Sequence, residues 1–181
     1  PTSQAGKSLN PRPEVQYALL LQETDASVSG LTFRGMESRV HAVGGSPVLG
    51  GLVVQDVGGW EALAGTVHGG VLASDGSSAT VRANEFDGGV GLRAYDGSEP
   101  QVERNVLRGT AAIFGEFGDG TVIRGNEFVE SSGYSSIGLT RPTTALVESN
   151  VMTDGRASDG IWFEGLVSGD AGGPIIRGNA I

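Results

Sequence analysis

The chain has 181 residues, 31 of them glycine, no cysteine, and a formal net charge of −9. The lack of cysteine excludes disulfides, thiolate metal sites and cysteine nucleophiles. Lys7 is the only lysine among 12 basic and 21 acidic residues, so the chain lacks the clustered positive charge that nucleic acids and anionic membranes attract. No apolar run reaches the ~18 residues of a membrane span. We therefore expect no nucleic-acid partner and no membrane insertion.

The length predicts a single domain, which we place at residues 17–181, after an N-terminal extension or cap at residues 1–16. The opening Pro1-Thr2-Ser3-Gln4 has neither Met nor an apolar leader. We therefore expect a processed or excised piece whose targeting signal is not in view. The high glycine content indicates many tight turns and few long helices, because each glycine inside a helix costs roughly 1 kcal/mol relative to alanine.

An internal repeat is carried by five of the six asparagines, which share one frame at spacings of 21, 21, 24 and 29 residues. An apolar residue stands three positions before each asparagine and another stands two positions after it. The asparagines are Asn84, Asn105, Asn126, Asn150 and Asn179, and the preceding apolar residues are Val81, Val102, Ile123, Val147 and Ile176. Weaker copies of the frame upstream have Leu31 and Leu52 at the asparagine position, and a longer excursion follows at about residues 53–70.

A second apolar run lies between successive frames, with the period-2 pattern of strands and bounding Gly, Asp, Ser and Pro residues. These runs are Val71-Leu72-Ala73, Val90-Gly91-Leu92, Ile113-Phe114-Gly115, Ile137-Gly138-Leu139 and Ile161-Trp162-Phe163, with Tyr17-Ala18-Leu19-Leu20-Leu21 as an earlier strand. A repeat of about 21 residues built from short strands predicts a solenoid with rungs ~4.8 Å apart. The spacing does not fit the leucine-rich repeat pattern.

The repeat resembles the right-handed parallel β-helix repeats of the pectate-lyase-like superfamily over about residues 17–181. The matching frame is Val81-Arg82-Ala83-Asn84-Glu85-Phe86 followed by Gly89-Val90-Gly91-Leu92. The resemblance implies an all-β, single-stranded, right-handed parallel β-helix, for which we predict about six to seven rungs. It also implies an interior asparagine ladder inside the tight turn between the second and third sheets.

A structural role for the five asparagines follows from their chemistry, because a stacked amide donates to one neighbour and accepts from the other. Asparagine also tolerates the left-handed backbone of a sharp turn. Two residues before each asparagine the charge alternates in sign, and an outward column of this kind favours one register over a one-rung slip. The alternating residues are Arg82, Glu103, Arg124, Glu148 and Arg177.

No motif assigns catalytic residues or a cofactor. Six of nine aspartates precede glycine, but no calcium-loop motif is present, so we interpret them as turns and leave calcium open without support. These are Asp75, Asp87, Asp96, Asp119, Asp154 and Asp159. The histidines are His41 and His68, and His68-Gly69-Gly70 departs from the Gly-His-Gly of polygalacturonases. The Asp-Pro-His of alginate-type epimerases is absent, and Arg141 is a faint echo of pectate lyases.

The resembling family binds saccharides on the outer face of the sheet made by the Gly-apolar-x-apolar runs. If Val90 and Leu92 face inward, an outward surface of aromatic and charged side chains results. Its members are Arg93, Tyr95, Phe114, Glu116, Trp162 and Glu164. Aromatic rings that pack on sugars, with charged groups that accept or donate hydrogen bonds, make this surface a candidate carbohydrate groove.

We therefore expect a non-catalytic extracellular β-helix module that is saccharide-binding or structural. One alternative is a polysaccharide lyase, hydrolase or epimerase domain that uses Glu116, Glu164, Arg93 or His68. Another is a structural segment of a filament or larger surface protein. The expected partners are a polysaccharide, or further β-helix rungs or a partner chain at the C-terminal end, where unpaired backbone invites pairing. The sequence leaves the identity of the glycan and the oligomeric state open.

Overall fold

Short strands account for all the regular secondary structure in the described part of the chain. The computed structural model describes residues 19–34, 39–55, 70–88, 91–132, 135–140, 144–156, 159–165 and 173–181. The strands are β1 (Leu19–Gln22), β2 (Ser27–Ser29), β3 (Thr32–Arg34), β4 (Arg39–Val43), β5 (Val48–Gly50), β6 (Val53–Gln55), β7 (Gly70–Ser74), β8 (Thr80–Arg82), β9 (Glu85–Asp87), β10 (Leu92–Ser98), β11 (Gln101–Glu103), β12 (Val106–Arg108), β13 (Ile113–Phe117), β14 (Val122–Arg124), β15 (Glu127–Val129), β16 (Ser135–Thr140), β17 (Leu146–Glu148), β18 (Val151–Thr153), β19 (Asp159–Glu164) and β20 (Ile175–Arg177).

Each coil of the chain adds one strand to each of three parallel sheets. The first sheet has the order β1-β4-β7-β10-β13-β16-β19, the second β2-β5-β8-β11-β14-β17-β20, and the third β3-β6-β9-β12-β15-β18. Each strand pairs in parallel with its equivalent one coil away. The chain is therefore a parallel β-solenoid, as predicted. Two sheets have seven strands and one has six, close to the predicted number of rungs, and a single bridge from Val151 to Ala180 extends the third sheet.

The interior is filled by the alternate residues that the period-2 pattern points inward. In the second sheet, Val81, Val102, Ile123 and Val147 lie in register and are each at most 1 % exposed. Ile176 continues this column but is 47 % exposed, because its strand is the last described one of the sheet. Matching buried columns are Val40, Val71, Leu92, Ile113 and Ile137 in the first sheet and Phe86, Leu107 and Phe128 in the third.

The sharp corner between the second and third sheets is made by the residue before each ladder asparagine. Ala83, Arg104 and Ser149 have φ angles of 52°, 53° and 55°, and Gly125 and Gly178 have φ angles of 62° and 63°. None of the five asparagines, all of them described, has a positive φ. The left-handed backbone of the turn, which asparagine tolerates, is therefore adopted by the residue before it. The preceding residue turns the chain, and the asparagine side chain is left to enter the interior.

The predicted ladder of side-chain amides lies inside this corner. Nδ2 of Asn84 donates to Oδ1 of Asn105 at 3.0 Å, and the same bond recurs along the column as far as Asn179. Each Nδ2 also donates to a carbonyl of the preceding rung, as Asn105 does to Val81 at 2.9 Å. Leu52 precedes Asn84 in the column, and its backbone N–H donates to the Asn84 Oδ1 at 2.8 Å. The ladder thus joins rungs by side-chain and backbone bonds together.

The predicted charge column lies on the outer side of the second sheet, with its five residues in consecutive register. Arg124 forms a hydrogen-bonded ion pair with Glu103, and its Nη1 lies 3.6 Å from Oε1 of Glu148. Nε of Arg177 donates to Oε2 of Glu148 at 2.8 Å. The alternation of sign along the sequence therefore becomes an alternation between neighbouring rungs.

Two of the Asp-Gly pairs have the turn conformation expected of them. Asp75 and Gly76 have φ angles of 53° and 70°, and Asp96 and Gly97 have 55° and 69°. In the described ranges, no helix has the length and hydropathy needed to cross a membrane. The predicted cap at residues 1–16 and residues 56–69 of the predicted excursion lie outside the described residues.

Candidate functional site

The outer face of the first sheet carries the six residues proposed for saccharide contact. Three of them belong to one outward column, in which Arg93 of β10 pairs with Phe114 of β13, Phe114 with Gly138 of β16, and Gly138 with Trp162 of β19. They project outward because the strand residues on either side of Arg93 and of Phe114 are buried. The column therefore crosses four consecutive rungs.

Phe114 and Trp162 form an aromatic pair across the rung that separates them. Their ring centroids are 6.0 Å apart and their planes differ by 11°, a separation within the favourable range for aromatic pairs. Gly138 makes this approach possible. A Cβ atom at that position would lie 2.4 and 2.7 Å from Cδ2 and Cε2 of Phe114. The missing side chain thus lets the Phe114 ring extend over the intervening strand toward Trp162.

Arg93 extends the aromatic pair toward the N-terminal rungs. Its Cζ lies 4.9 Å from the ring centroid of Tyr95 and 5.6 Å from that of Phe114, so the guanidinium makes cation–π contact with both rings. Among the described residues, its Nε is buried without a hydrogen-bond partner. The Arg93 side chain is therefore partly buried, and its guanidinium lies against two aromatic rings. This places a fixed positive charge at the Arg93 end of the aromatic pair.

The two carboxylates form a second outward column two residues further along the strands. Glu116 pairs with Thr140, and Thr140 pairs with Glu164. Glu116 and Thr140 are partly buried, whereas Glu164 is exposed. Tyr95 stands on β10 where the register with β13 shifts between Ala94 and Ser98, and its ring lies beside the Arg93 guanidinium. The structure therefore places five of the six predicted residues in two neighbouring columns, with Tyr95 next to Arg93 on the same face.

His41 belongs to the same face, a position that no motif in the sequence indicated. It pairs with Leu72, which pairs with Arg93, so it lies two rungs before Arg93 in the outward column. His41 Nε2 is 2.9 Å from Ser74 Oγ, and Ser74 Oγ donates to Asp75 Oδ2 at 3.2 Å. The sequence does carry a signal for this position. His41 stands between the apolar residues Val40 and Ala42, which are both buried, and the alternation of a strand then points His41 outward.

The His41 contact differs from that of a catalytic triad, because the carboxylate bonds to the serine hydroxyl and a triad carboxylate bonds to the histidine. His68, Val90 and Arg141 lie outside the described residues. In the part of the chain that the structure describes, no group of three or more His, Asp or Glu residues is arranged to hold a metal ion.

Comparison of the chain with known protein families, with curated proteins and with solved structures finds no match. What this face does must therefore be inferred from its own chemistry. It offers two nearly parallel aromatic rings, one fixed cation, two carboxylates and a threonine hydroxyl.

Proposed function

We propose that the protein is a non-catalytic β-helix module that binds a saccharide chain along the outer face of the first sheet. The observation that carries this proposal is the aromatic pair of Phe114 and Trp162 above Gly138, with Arg93 in contact with Phe114. Aromatic rings offer a large apolar area for the C–H faces of a sugar. The flanking guanidinium and carboxylates supply the few polar groups that orient a bound ligand.

The geometry of the face suits a chain-like ligand. The two columns run across the strands, so they follow the direction in which rungs stack, and three rungs from Phe114 to Trp162 cover roughly 10 Å at ~4.8 Å per rung. A ligand that extends in this direction meets the rings first and the carboxylates of Glu116 and Glu164 along one side. This favours an extended oligosaccharide over a compact small molecule.

We also propose that the chain belongs to the right-handed parallel β-helix repeat family of the pectate-lyase-like superfamily, and that it acts outside the cell or at its surface. Three features support membership: the three parallel sheets, the asparagine ladder between the second and third sheets, and the outward aromatic and charged residues of the first sheet. The proposal does not extend to the enzymes of the superfamily, since no catalytic motif of theirs is found in the chain.

The test is a glycan array probed with the parent protein at several calcium concentrations, followed by titration of the best ligand into variants. We expect Trp162→Ala to weaken binding at least about tenfold, with a melting temperature within about 2 °C of the parent. Trp162→Phe keeps an aromatic ring and should retain part of the affinity. Gly138→Ala leaves both rings in the sequence but moves Phe114 away, and should also weaken binding.

Three outcomes would contradict the proposal. Release of shorter or unsaturated sugars from any bound glycan would identify an enzyme. A melting temperature lowered by several degrees in Trp162→Ala, with no glycan bound by the parent, would assign the aromatic pair to packing. Binding that survives both Trp162→Ala and Gly138→Ala would place the saccharide elsewhere.

A further inference from the structure

The outer face of the first sheet repeats its chemistry after two rungs. On β13 and on β19 the outward positions hold an aromatic ring followed by a carboxylate, and on β16 between them they hold a glycine followed by a threonine. In chain order these residues are Phe114, Glu116, Gly138, Thr140, Trp162 and Glu164. The strands pair after every single rung, so this longer repeat is a property of the face and is not required by the fold.

The first of the two columns forms an apolar floor, made by Phe114, Gly138 and Trp162. The Phe114 ring extends over Gly138, and its centroid lies 6.0 Å from that of Trp162 with the planes 11° apart. The floor is therefore nearly continuous over three rungs, and its rings suit the C–H faces of sugars. A unit of an extended saccharide chain is about as long as the ~4.8 Å between rungs. One sugar can thus lie over each rung.

The second column forms a polar edge beside this floor, made by Glu116, Thr140 and Glu164. Its order is carboxylate, hydroxyl, carboxylate, so carboxylates recur after two rungs, roughly 10 Å. Glu116 and Thr140 are partly buried, whereas Glu164 is exposed. Within the described ranges, the Glu164 side chain forms no ion pair. Its carboxylate is therefore available to a cation brought by a ligand.

An extended chain of β(1→4)-linked sugars has a repeat that matches this edge. Successive units are turned by half a turn about the chain axis, so a given substituent returns to the same side at every second unit. The unit between presents a hydroxyl or hydroxymethyl group on that side. A chain on the floor therefore presents one kind of group to Glu116 and Glu164 and a hydroxyl to Thr140.

The charge of the protein selects the kind of group that recurs. A carboxylate forms a strong hydrogen bond with an ammonium group and repels an acidic sugar. The formal net charge of −9 acts in the same direction, because it attracts cationic chains and repels anionic ones. Arg93, the guanidinium of this face, lies on β10 against Tyr95 and Phe114. It therefore stands at the end of the floor, one rung before the first carboxylate.

We propose that the ligand of this face is an extended amino-sugar chain, β(1→4)-linked, whose ammonium groups contact Glu116 and Glu164. This inference rests on the proposed function, since it takes the face as a saccharide site and names the class of saccharide. Phe114 and Trp162 supply the contacts that any sugar can use. The two carboxylates supply the selectivity for the ammonium group.

The experiment compares three hexasaccharides with the same linkage by calorimetric titration into the full chain. They are the glucosamine hexamer with free amines, its fully N-acetylated counterpart and the glucose hexamer. The second keeps the nitrogen but loses the charge, and the third lacks both. We expect the free-amine hexamer to bind about tenfold more tightly than either of the others at low salt, with a smaller advantage at high salt.

Substitutions separate the edge from the floor. Glu164→Gln should weaken binding of the free-amine hexamer about three- to fivefold and leave the glucose hexamer unaffected. Its melting temperature should match that of the parent, because the side chain is exposed. Glu127→Gln is the matched control, since it removes a carboxylate exposed on the outer face of the third sheet, and it should bind like the parent. Trp162→Ala should weaken all three hexamers.

The outcomes distinguish this inference from the proposed function. Equal affinity for the free-amine and glucose hexamers, tighter binding of a uronic-acid hexamer, or equal losses in Glu164→Gln and Glu127→Gln would overturn the amino-sugar assignment. Binding of another glycan but of none of the hexamers would also overturn it. In each of these cases, saccharide binding that Trp162→Ala weakens would leave the proposed function standing. If no saccharide binds, both fail.

Discussion

At the scale of single residues, each interior asparagine holds its rung to both neighbours. Asn126 donates to Oδ1 of Asn150 at 3.0 Å and to Val102 O at 2.9 Å. Its Oδ1 accepts from the side chain and the backbone N–H of Asn105 at 2.9 and 3.0 Å. Because all these groups are buried, no water replaces a bond that is lost, and the cost of removing the amide is that of leaving partners unsatisfied.

Asn126→Ala should therefore lower the free energy of unfolding by roughly 1–3 kcal/mol. Asn179→Ala should cost less, because Asn179 is only partly buried and its described bonds run to the preceding rung alone. Urea denaturation followed by circular dichroism measures both. Equal losses at the two positions would show that the amides do not act as a cooperative column.

The left-handed residues before the ladder allow a test that removes no contact. A non-glycine residue in this conformation costs roughly 1–2 kcal/mol, partly offset on replacement by the greater unfolded-state freedom of glycine. Ala83→Gly should therefore stabilise the protein by about 0.5–1 kcal/mol. Gly125→Ala should destabilise it by about 1 kcal/mol, although the nearest atom to the added Cβ is Arg104 Cγ at 3.9 Å. Thermal unfolding of the two variants should give shifts of opposite sign.

The asparagine ladder could be predicted from the sequence, because an amide between two buried apolar positions needs a hydrogen-bond partner, and the asparagine of the next repeat supplies it. The position of the left-handed residue could not be predicted. Ala83, Arg104 and Ser149 have little intrinsic preference for positive φ, and the surrounding strands impose it on them. Only Gly125 and Gly178, one position before Asn126 and Asn179, carried a local signal.

At the scale of the strand, the outer column of the second sheet alternates in charge, and ion pairs join its members on successive rungs from Glu103 to Arg177. Glu103 is 18 % exposed and bonds to Arg124, which also approaches Glu148. Single exposed pairs contribute about 0–1 kcal/mol. Their consistent order over successive rungs therefore serves register more than stability.

Glu103→Arg would place three arginines on consecutive rungs ~4.8 Å apart and should cost about 1 kcal/mol at low salt. Added salt should recover much of the loss. Glu103→Gln, which removes the ion pair without adding repulsion, is the control and should respond less to salt. Chemical denaturation at two ionic strengths gives the comparison, and a salt-independent loss in Glu103→Arg would mean that the column has no electrostatic role.

The outer column of the first sheet contains contacts that the alternation of apolar and polar residues in the sequence does not predict. Alternation alone placed Phe114 and Trp162 outward, and the structure agrees. Their pairing depends on Gly138, which occupies the rung between them. The loop lengths decide this arrangement, because they bring residues 24 positions apart into register. The His41 contact with Ser74 likewise required the pairing of β4 with β7 across the long excursion.

At the scale of the whole molecule, each rung contacts mainly the rung before and the rung after. The strand pairs join residues separated by one repeat, as from Val81 to Val102 and from Val102 to Ile123. The stability of such a chain is approximately a sum of rung and neighbour contributions. The repeat in the sequence was sufficient to predict this architecture, because each unit of about 21 residues contains both the apolar residues of its interior and the strands that pair with the neighbouring rungs.

The charge column makes odd and even numbers of rungs inequivalent. The backbone repeats after one rung, whereas the signs of Arg82, Glu103 and Arg124 repeat only after two. A duplication of residues 84–104 adds one rung and sets two copies of Glu103 side by side. A duplication of residues 84–125 adds two rungs and keeps opposite charges adjacent throughout.

Neutralising the inserted Glu103 with Gln should therefore affect the two duplications unequally. In the one-rung variant it removes one repulsion, from the other Glu103, and one attraction, to Arg124, so at low salt the free energy of unfolding should change little. In the two-rung variant it removes an attraction on each side and should lower the free energy of unfolding by about 0.5–1 kcal/mol. Urea denaturation of the four proteins tests this, and an equal loss in both pairs would refute it. A solenoid with this surface lengthens or shortens without electrostatic cost only in even numbers of rungs.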